Sequence, residues 1–353
     1  MDDEINAMLY QTNRLLEQSI NIKSNFSLKN IAKEAFTILL KKPDNRKYRS
    51  FSWPTACLAL ALELGYKKTQ NNDYLTTLMH YYEHGIKTGD EFDYLDQIMN
   101  GYSLIFLYNH TKDIRIKNAL INMYEYIKRY PRTPTGSLLY RKNDQDIVYI
   151  DYLGMVCPFL SRYGKTFSCE DSITLSVEFL KDYLLNGMDI ETGLPYHGFR
   201  CTTHEKLGII GWGRGVGWLL IGMIDTLACL DKSSEACNSL HHDFQLLVKS
   251  VIKFQDNEGF YKWELNVKEG HIDTSATAMI GYSIKRGIDL NLLNIEYLLH
   301  AEKSLHALLK STKNGQISDS SAECQGIGMY PQHYEWNLWG QGFGTSFALL
   351  MTK

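Results

Sequence analysis

The sequence predicts an all-α fold, a closed ring of paired helices of the (α/α)6 toroid, or six-hairpin barrel, kind. Three observations carry this. Helical periodicity recurs along almost the whole chain, while strand alternation is rare. No repeat of fixed length runs through it, and line-forming helical repeats keep one, of roughly 34 to 47 residues. The segment Trp212-Gly213-Arg214-Gly215-Val216-Gly217 is echoed by Trp339-Gly340-Gln341-Gly342-Phe343-Gly344, each leading into an apolar helix, as equivalent places in a ring would be.

Taken in order, a first helix is expected near 4–19, followed by helices near 27–41, 52–65 and 74–86. The next is read from Leu95, Ile98, Met99, Tyr102, Ile105 and Phe106, which share one face of a 3.6-residue period. Similar faces mark 114–129, 151–163, 170–185, 214–229, 240–255, 274–286, 294–310 and 342–352. Short strands near 137–141 and 259–264 are expected within loops. With only seven prolines, no charge block and no low-complexity linker, the chain reads as one domain over residues 1–353. The glycines of the echoed segments have two readings: backbone bared to a ligand, or close helix packing.

Composition narrows the function. A net charge of -3 offers no field for nucleic acid or acidic membranes. No run approaches the roughly 18 apolar residues of a membrane span, and the first residues carry no secretory pattern. Seven scattered cysteines without a CxxC pair argue against a zinc site or disulfide framework, and suggest reduced thiols in the cytoplasm. Tyr, Phe and Trp are abundant at 23, 14 and 6 copies, and Tyr and Trp make stacking platforms with a polar edge.

Four segments can carry chemistry. Asp151 and Asp96 each open an apolar helix. Such an Asp is either an N-cap or an acid facing a cavity, with Asp93 as an alternative cap beside Asp96. Alternate helices of a ring run the same way, so both aspartates can meet at one face. A paired carboxylate raises one of the two proton affinities, as acid catalysis requires. His197 lies among Gly193, Tyr196, Gly198 and Phe199 in an expected loop, suited to binding a sugar hydroxyl or carboxylate. Arg214, between Trp212 and Trp218, suits carboxylate recognition with aromatic stacking. Asp273, before Thr274 and Ser275, reads as a helix cap.

These segments, in this order, resemble glycoside hydrolase family 105 and its relative family 88, the unsaturated rhamnogalacturonyl and glucuronyl hydrolases. Leu95-Asp96 with Gly101 and Leu104–Tyr108 resembles "LDN…G..LLFLY". Pro131-Arg132-Thr133 with Gly136 resembles "PRT..GG". Ile150–Met155 with Pro158-Phe159 resembles "LDGLYM..PF". Trp212–Trp218 resembles "WGRG.GW", and Ser275–Ala278 with Tyr282 resembles "E.SATA…Y". The resemblance spans roughly 50–350. It implies the (α/α)6 barrel, no metal and no cofactor, and a uronate-containing oligosaccharide as substrate. It also implies hydration of a C4=C5 double bond in an unsaturated uronic acid at the non-reducing end of lyase-generated chains. Asp151 would be the general acid/base, Asp96 its partner, and His197, Arg214, Trp212, Trp218 and Tyr149 the substrate-binding wall. Tyr149 stands where the family has Trp. Gly136–Lys142 lacks the Trp and His of "GGFWHK", and Asp273 replaces the Glu of "E.SATA". The altered wall leaves a polysaccharide-binding or biosynthesis-associated protein on the same scaffold as the alternative.

Overall fold

The computed structural model describes residues 2–21, 51–88, 92, 94–141 and 144–352; the helix expected near 27–41 and the candidate cap Asp93 lie outside them. Among the described residues there are twelve α-helices: α1 (Asp2–Asn21), α2 (Trp53–Thr69), α3 (Asn72–Thr88), α4 (Gly101–Thr111), α5 (Ile114–Arg129), α6 (Asp151–Phe167), α7 (Glu170–Asn186), α8 (Gly213–Leu227), α9 (Glu235–Val251), α10 (Thr274–Asp289), α11 (Leu298–Lys310) and α12 (Leu338–Met351).

They sort into two rings by burial. Every residue of α8 is buried, and so is the run Trp339–Leu349 of α12, which marks helices enclosed on all sides. In α5, by contrast, Ile116, Leu120, Met123, Tyr124 and Ile127 form one buried stripe, and α9 buries Cys237, Leu240, Phe244, Leu247, Val248 and Val251. The inner ring runs α2, α4, α6, α8, α10, α12, and α12 packs on α2 to close it. The outer helices α3, α5, α7, α9 and α11 each follow an inner one. The remaining outer position, against α12 and α2, is filled by α1. This is the (α/α)6 toroid.

Close packing explains the echoed glycines. A methyl on Gly342 would lie 2.4 Å from the Cys57 carbonyl carbon of α2, and one on Gly217 would lie 2.7 Å from Met279 Cβ of α10. The packing reading of these glycines holds. Arg214 and Gln341 also occupy matching places, and each pins a loop. Gln341, fully buried, accepts from the Ile317 amide and donates to the Gly315 carbonyl at 2.9 Å.

Local rules account for two irregularities. Residues 95–100 form a 3-10 turn before α4 rather than a continuous helix. The Asn100 amide donates to the Gln97 carbonyl at 3.0 Å, and Gln97 reaches back to the Tyr94 amide at 3.1 Å. These side-chain bonds compete with the i−4 ladder. In α6, Pro158 has no N–H for the Gly154 carbonyl, and the Tyr102 hydroxyl donates to that carbonyl instead.

Strands occur in the loops, though not where expected. At 137–141 and 259–264 there are only single bridges, such as Arg132 with Leu138 and Lys262 with Ile272. An antiparallel sheet forms from β1 (Ile147–Tyr149), β2 (Tyr196–Arg200) and β3 (Lys206–Ile210), in that order. Two ribbons follow, β4 (Thr312–Lys313) with β5 (Gln316–Ile317), and β6 (Ser320–Ser321) with β7 (Tyr334–Glu335). None of the helices among the described residues is long and apolar enough to cross a membrane.

Candidate active site

The N-terminal ends of the inner helices open on one face, where a solvent-open cleft spans about 400 Å³. Asp151 is the first residue of α6. Ile150 holds the cap position in helical geometry, so the capping reading of Asp151 fails: its carboxylate is left for other partners. The sheet supplies one. His197 sits on β2, not in a loop, because β1 pairs with β2 and the Ile150 amide donates to the His197 carbonyl at 3.0 Å. That clasp sets the imidazole beside the start of α6. His197 Nε2 lies 3.0 Å from Asp151 Oδ2, and Nδ1 lies 2.7 Å from the Tyr330 hydroxyl. The ring is buried against Trp212, at 4.4 Å, with Tyr149 edge-on at 5.6 Å.

Tyr149, Asp151, His197, Trp212, Arg214 and Trp218 all line the cleft. Trp218 is part of its floor, 1% exposed, with its ring against Trp53 and Phe343. Tyr149 turns its hydroxyl away to Asp144 at 2.7 Å.

Arg214 lines the cleft and is also bound to the protein. It is stacked between Trp212 and Trp339, with the guanidinium 5.1 Å and 5.4 Å from the ring centroids. Its terminal nitrogens are committed to protein: Nη1 to the Ser321 carbonyl at 2.9 Å and hydroxyl at 2.6 Å, Nη2 to the Ala322 carbonyl at 2.8 Å. Three of the five guanidinium donors are thus taken by the loop, and Nε–H and one Nη2–H remain. Asp273 does cap α10, accepting from the Ser275 amide at 2.9 Å, and it also binds the Ser321 hydroxyl at 2.6 Å. Arg214 and Asp273 thus anchor the 320–336 loop, which brings Glu323, Cys324 and Gly326 to the cleft and Tyr330 to His197.

Asp96 lies in the 3-10 turn, buried, and is not part of the cleft lining. Tyr140, which lines the cleft, lies within electrostatic reach of both Asp96 and Asp151. Burial, then the charges of Asp151 and Asp96, push the Tyr140 phenol well above its ordinary value. Tyr140 therefore senses the charge of both aspartates.

Sequence reasoning missed Tyr330, Trp53, Glu323 and Cys324, whose neighbourhoods carry no chemical pattern of their own. Burial, then Asp151, push the Cys324 thiol up to about 12, which keeps it an unreactive thiol. In the altered wall Leu138 and Leu139 are buried, but Tyr140 and Arg141 line the cleft. Arg141 Nε is buried and has no hydrogen-bond partner among the described residues. Among the described residues no three His, Cys, Asp or Glu side chains group as metal ligands would.

Known proteins place this arrangement. The model of Glycosyl Hydrolase Family 88 matches residues 30–352. The unsaturated rhamnogalacturonyl hydrolase YesR of Bacillus subtilis (strain 168) is 23% identical over 319 residues, covering 86% of this chain and 91% of YesR. A crystal structure of a possible member of the GH105 family from Klebsiella pneumoniae subsp. pneumoniae MGH 78578 shares the fold, with a TM-score of 0.85 at 18% identity over 99% of this chain and 93% of that one. The unsaturated glucuronyl hydrolase of Bacillus sp. GL1 superposes with a TM-score of 0.70 at 16% identity, covering 85% of this chain and 86% of that one. With its ring closed and its motifs gathered at one mouth, the chain belongs to Glycosyl Hydrolase Family 88 and is a glycoside hydrolase.

Proposed function

We propose that the protein removes a 4,5-unsaturated uronic acid from the non-reducing end of oligosaccharides left by a polysaccharide lyase. The observation that carries this is Asp151: one oxygen is held by His197, and the carboxyl lines an aromatic-walled cleft. Relatives named for unsaturated rhamnogalacturonyl and glucuronyl substrates support the substrate class.

In this reading the Asp151 carboxyl protonates C4 of the C4=C5 bond, and positive charge develops at C5 and the ring oxygen. Water adds to C5 and returns a proton to the Asp151 carboxylate, which restores the acid. The hemiketal at C5 opens, leaving a hemiacetal at C1. That hemiacetal collapses and releases the remaining chain as an alcohol. One water is consumed and no covalent enzyme intermediate forms, unlike the retaining two-carboxylate route to saturated glycosides. Asp96 acts across Tyr140 as the partner carboxylate. Arg141, a cation of the cleft lining, receives the uronate carboxylate, while three donors of Arg214 serve the 320–336 loop. Trp212 and Trp218 shape the sugar site. The seven unpaired cysteines suit a reducing compartment, the cytoplasm.

The competing reading, saccharide binding without hydrolysis, rested on the altered wall. Tyr140 and Arg141 supply that wall with an aromatic ring and a cation, which favours turnover. The test is to incubate the protein with lyase-generated pectin and glycosaminoglycan oligosaccharides and follow the ultraviolet absorbance of the double bond. The absorbance is expected to fall. No fall across the panel overturns the proposal.

A further inference from the structure

The Asp151–His197–Tyr330 chain contains more information than its distances. A phenol offers one proton and accepts through its oxygen. The Tyr330 oxygen accepts from the Ile209 amide at 3.4 Å. Burial holds this phenol above its ordinary value, so its proton stays on. With a backbone amide on the acceptor side, the O–H is left to donate, and His197 Nδ1 stands 2.7 Å away. An Nδ1–H tautomer would instead set a donor against an oxygen already accepting from backbone. It would also leave the phenol proton without an acceptor. The contact is built into the backbone as well. Gly208 of β3 has φ +80, and a methyl there would lie 2.6 Å from the Tyr330 hydroxyl and 2.8 Å from His197 Cβ.

We propose that Tyr330 is a positioning residue that acts through His197. It locks the imidazole as the neutral Nε2–H tautomer, so that Asp151 Oδ2 always accepts a donor and the proton exchanged with substrate travels on Oδ1. The second half rests on the reading of Asp151 as the acid/base. Nε2–H donates to Oδ2 at 3.0 Å whether Asp151 is ionised or carries its proton on Oδ1. Oδ1 has no hydrogen-bond partner among the described residues and is the oxygen left for the cleft. Without the phenol proton, Nδ1 can take the imidazole proton. Nε2 then becomes an acceptor, draws the acid proton onto Oδ2 and holds it away from the sugar.

The experiment compares the wild-type protein with Tyr330→Phe by ¹⁵N NMR of histidine-labelled protein, with His197→Gln identifying the resonance. Wild type is expected to show protonated Nε2 and bare Nδ1. Tyr330→Phe is expected to show a mixture of tautomers, while the other histidine signals report an intact fold. In turnover of an unsaturated oligosaccharide, Tyr330→Phe is expected to lower kcat by about tenfold or more with KM changed by less than about twofold, the pattern of a transition-state loss. A protonated Nδ1 in wild type, or an unchanged tautomer and kcat in Tyr330→Phe, overturns the proposal. If the tautomer lock is found but the wild type turns over no unsaturated substrate, the proposed function falls and the lock stands.

Discussion

At the C-terminal ends of the inner helices, Asp225 gives one carboxylate oxygen to Arg162 at 2.8 Å and the other to Arg286 at 3.1 Å. At the N-terminal ends, Asp151 gives one oxygen to His197 and leaves the other at the cleft. Both aspartates are buried near a mouth of one barrel, and the larger hollow, about 1000 Å³, is at the Asp225 end. Size does not locate the chemistry. Burial alone would push the Asp225 carboxyl up, but Arg162 and Arg286 outweigh it and hold it below the usual range. A carboxylate so matched is fixed in its charged form and cannot exchange protons near neutral pH. The lesson is one of satisfaction: one mouth spends its charges on itself, and the other keeps atoms in reserve.

Four changes break or sharpen that contrast. Asp151→Asn is the largest for activity, with turnover expected to fall about 10²–10⁴-fold. Thermal melting should stay within a few degrees of wild type, and a comparable loss of stability would mean that Asp151 is structural.

Asp225→Ala should do the reverse. Removing one partner of a buried ion cluster costs about 3–5 kcal/mol, read by urea unfolding, with KM and kcat of the folded fraction unchanged. The same group gives a pH signature. Its folded value lies below the unfolded value of about 3.9, so its stabilisation is present above that pH and is lost as pH falls through the folded value. Wild type should therefore lose stability more steeply than Asp225→Asn on acidification. Parallel curves would show that the pair contributes nothing.

Arg141→Gln sharpens the binding side of the cleft. Loss of a charge-assisted contact of about 1.5–3 kcal/mol raises KM by roughly 10–100-fold with a smaller change in kcat. A KM unchanged for a uronate-terminated substrate would return the carboxylate to another residue.

The smallest effect is expected for Arg214→Lys, which keeps the charge and loses the forked donors to Ser321 and Ala322. A stability loss of about 1–2 kcal/mol, with a modest fall in kcat as the Tyr330 loop loosens, would fit its anchoring role. A KM increase larger than that of Arg141→Gln would reverse the assignment.

The inner and outer helices were legible because their signal is local: a buried stripe at 3.6-residue spacing is written within one segment, as in Leu120, Met123, Tyr124 and Ile127 of α5. The echo of Trp212 in Trp339 was legible as repetition, and it proved to mark equivalent helix starts. The strands were not, since β1 and β2 are three and five residues long and owe their pairing to contacts far apart in sequence. The 3-10 turn at Leu95–Asn100 was missed because side-chain bonds override an apolar period that suits either helix.

What the sequence by itself determined was the ring of helices, the family resemblance and the aspartates and histidine that carry it. The partnership of those groups was decided only by the tertiary structure. His197 and Tyr330 are 133 positions apart, and Arg214 meets Ser321 across 107. Nothing local in either segment specifies the other. Closing the ring brings the loops over one mouth, and there each buried donor must find an acceptor. That requirement tied Arg214 to the loop and left Asp151 with an oxygen facing the cleft.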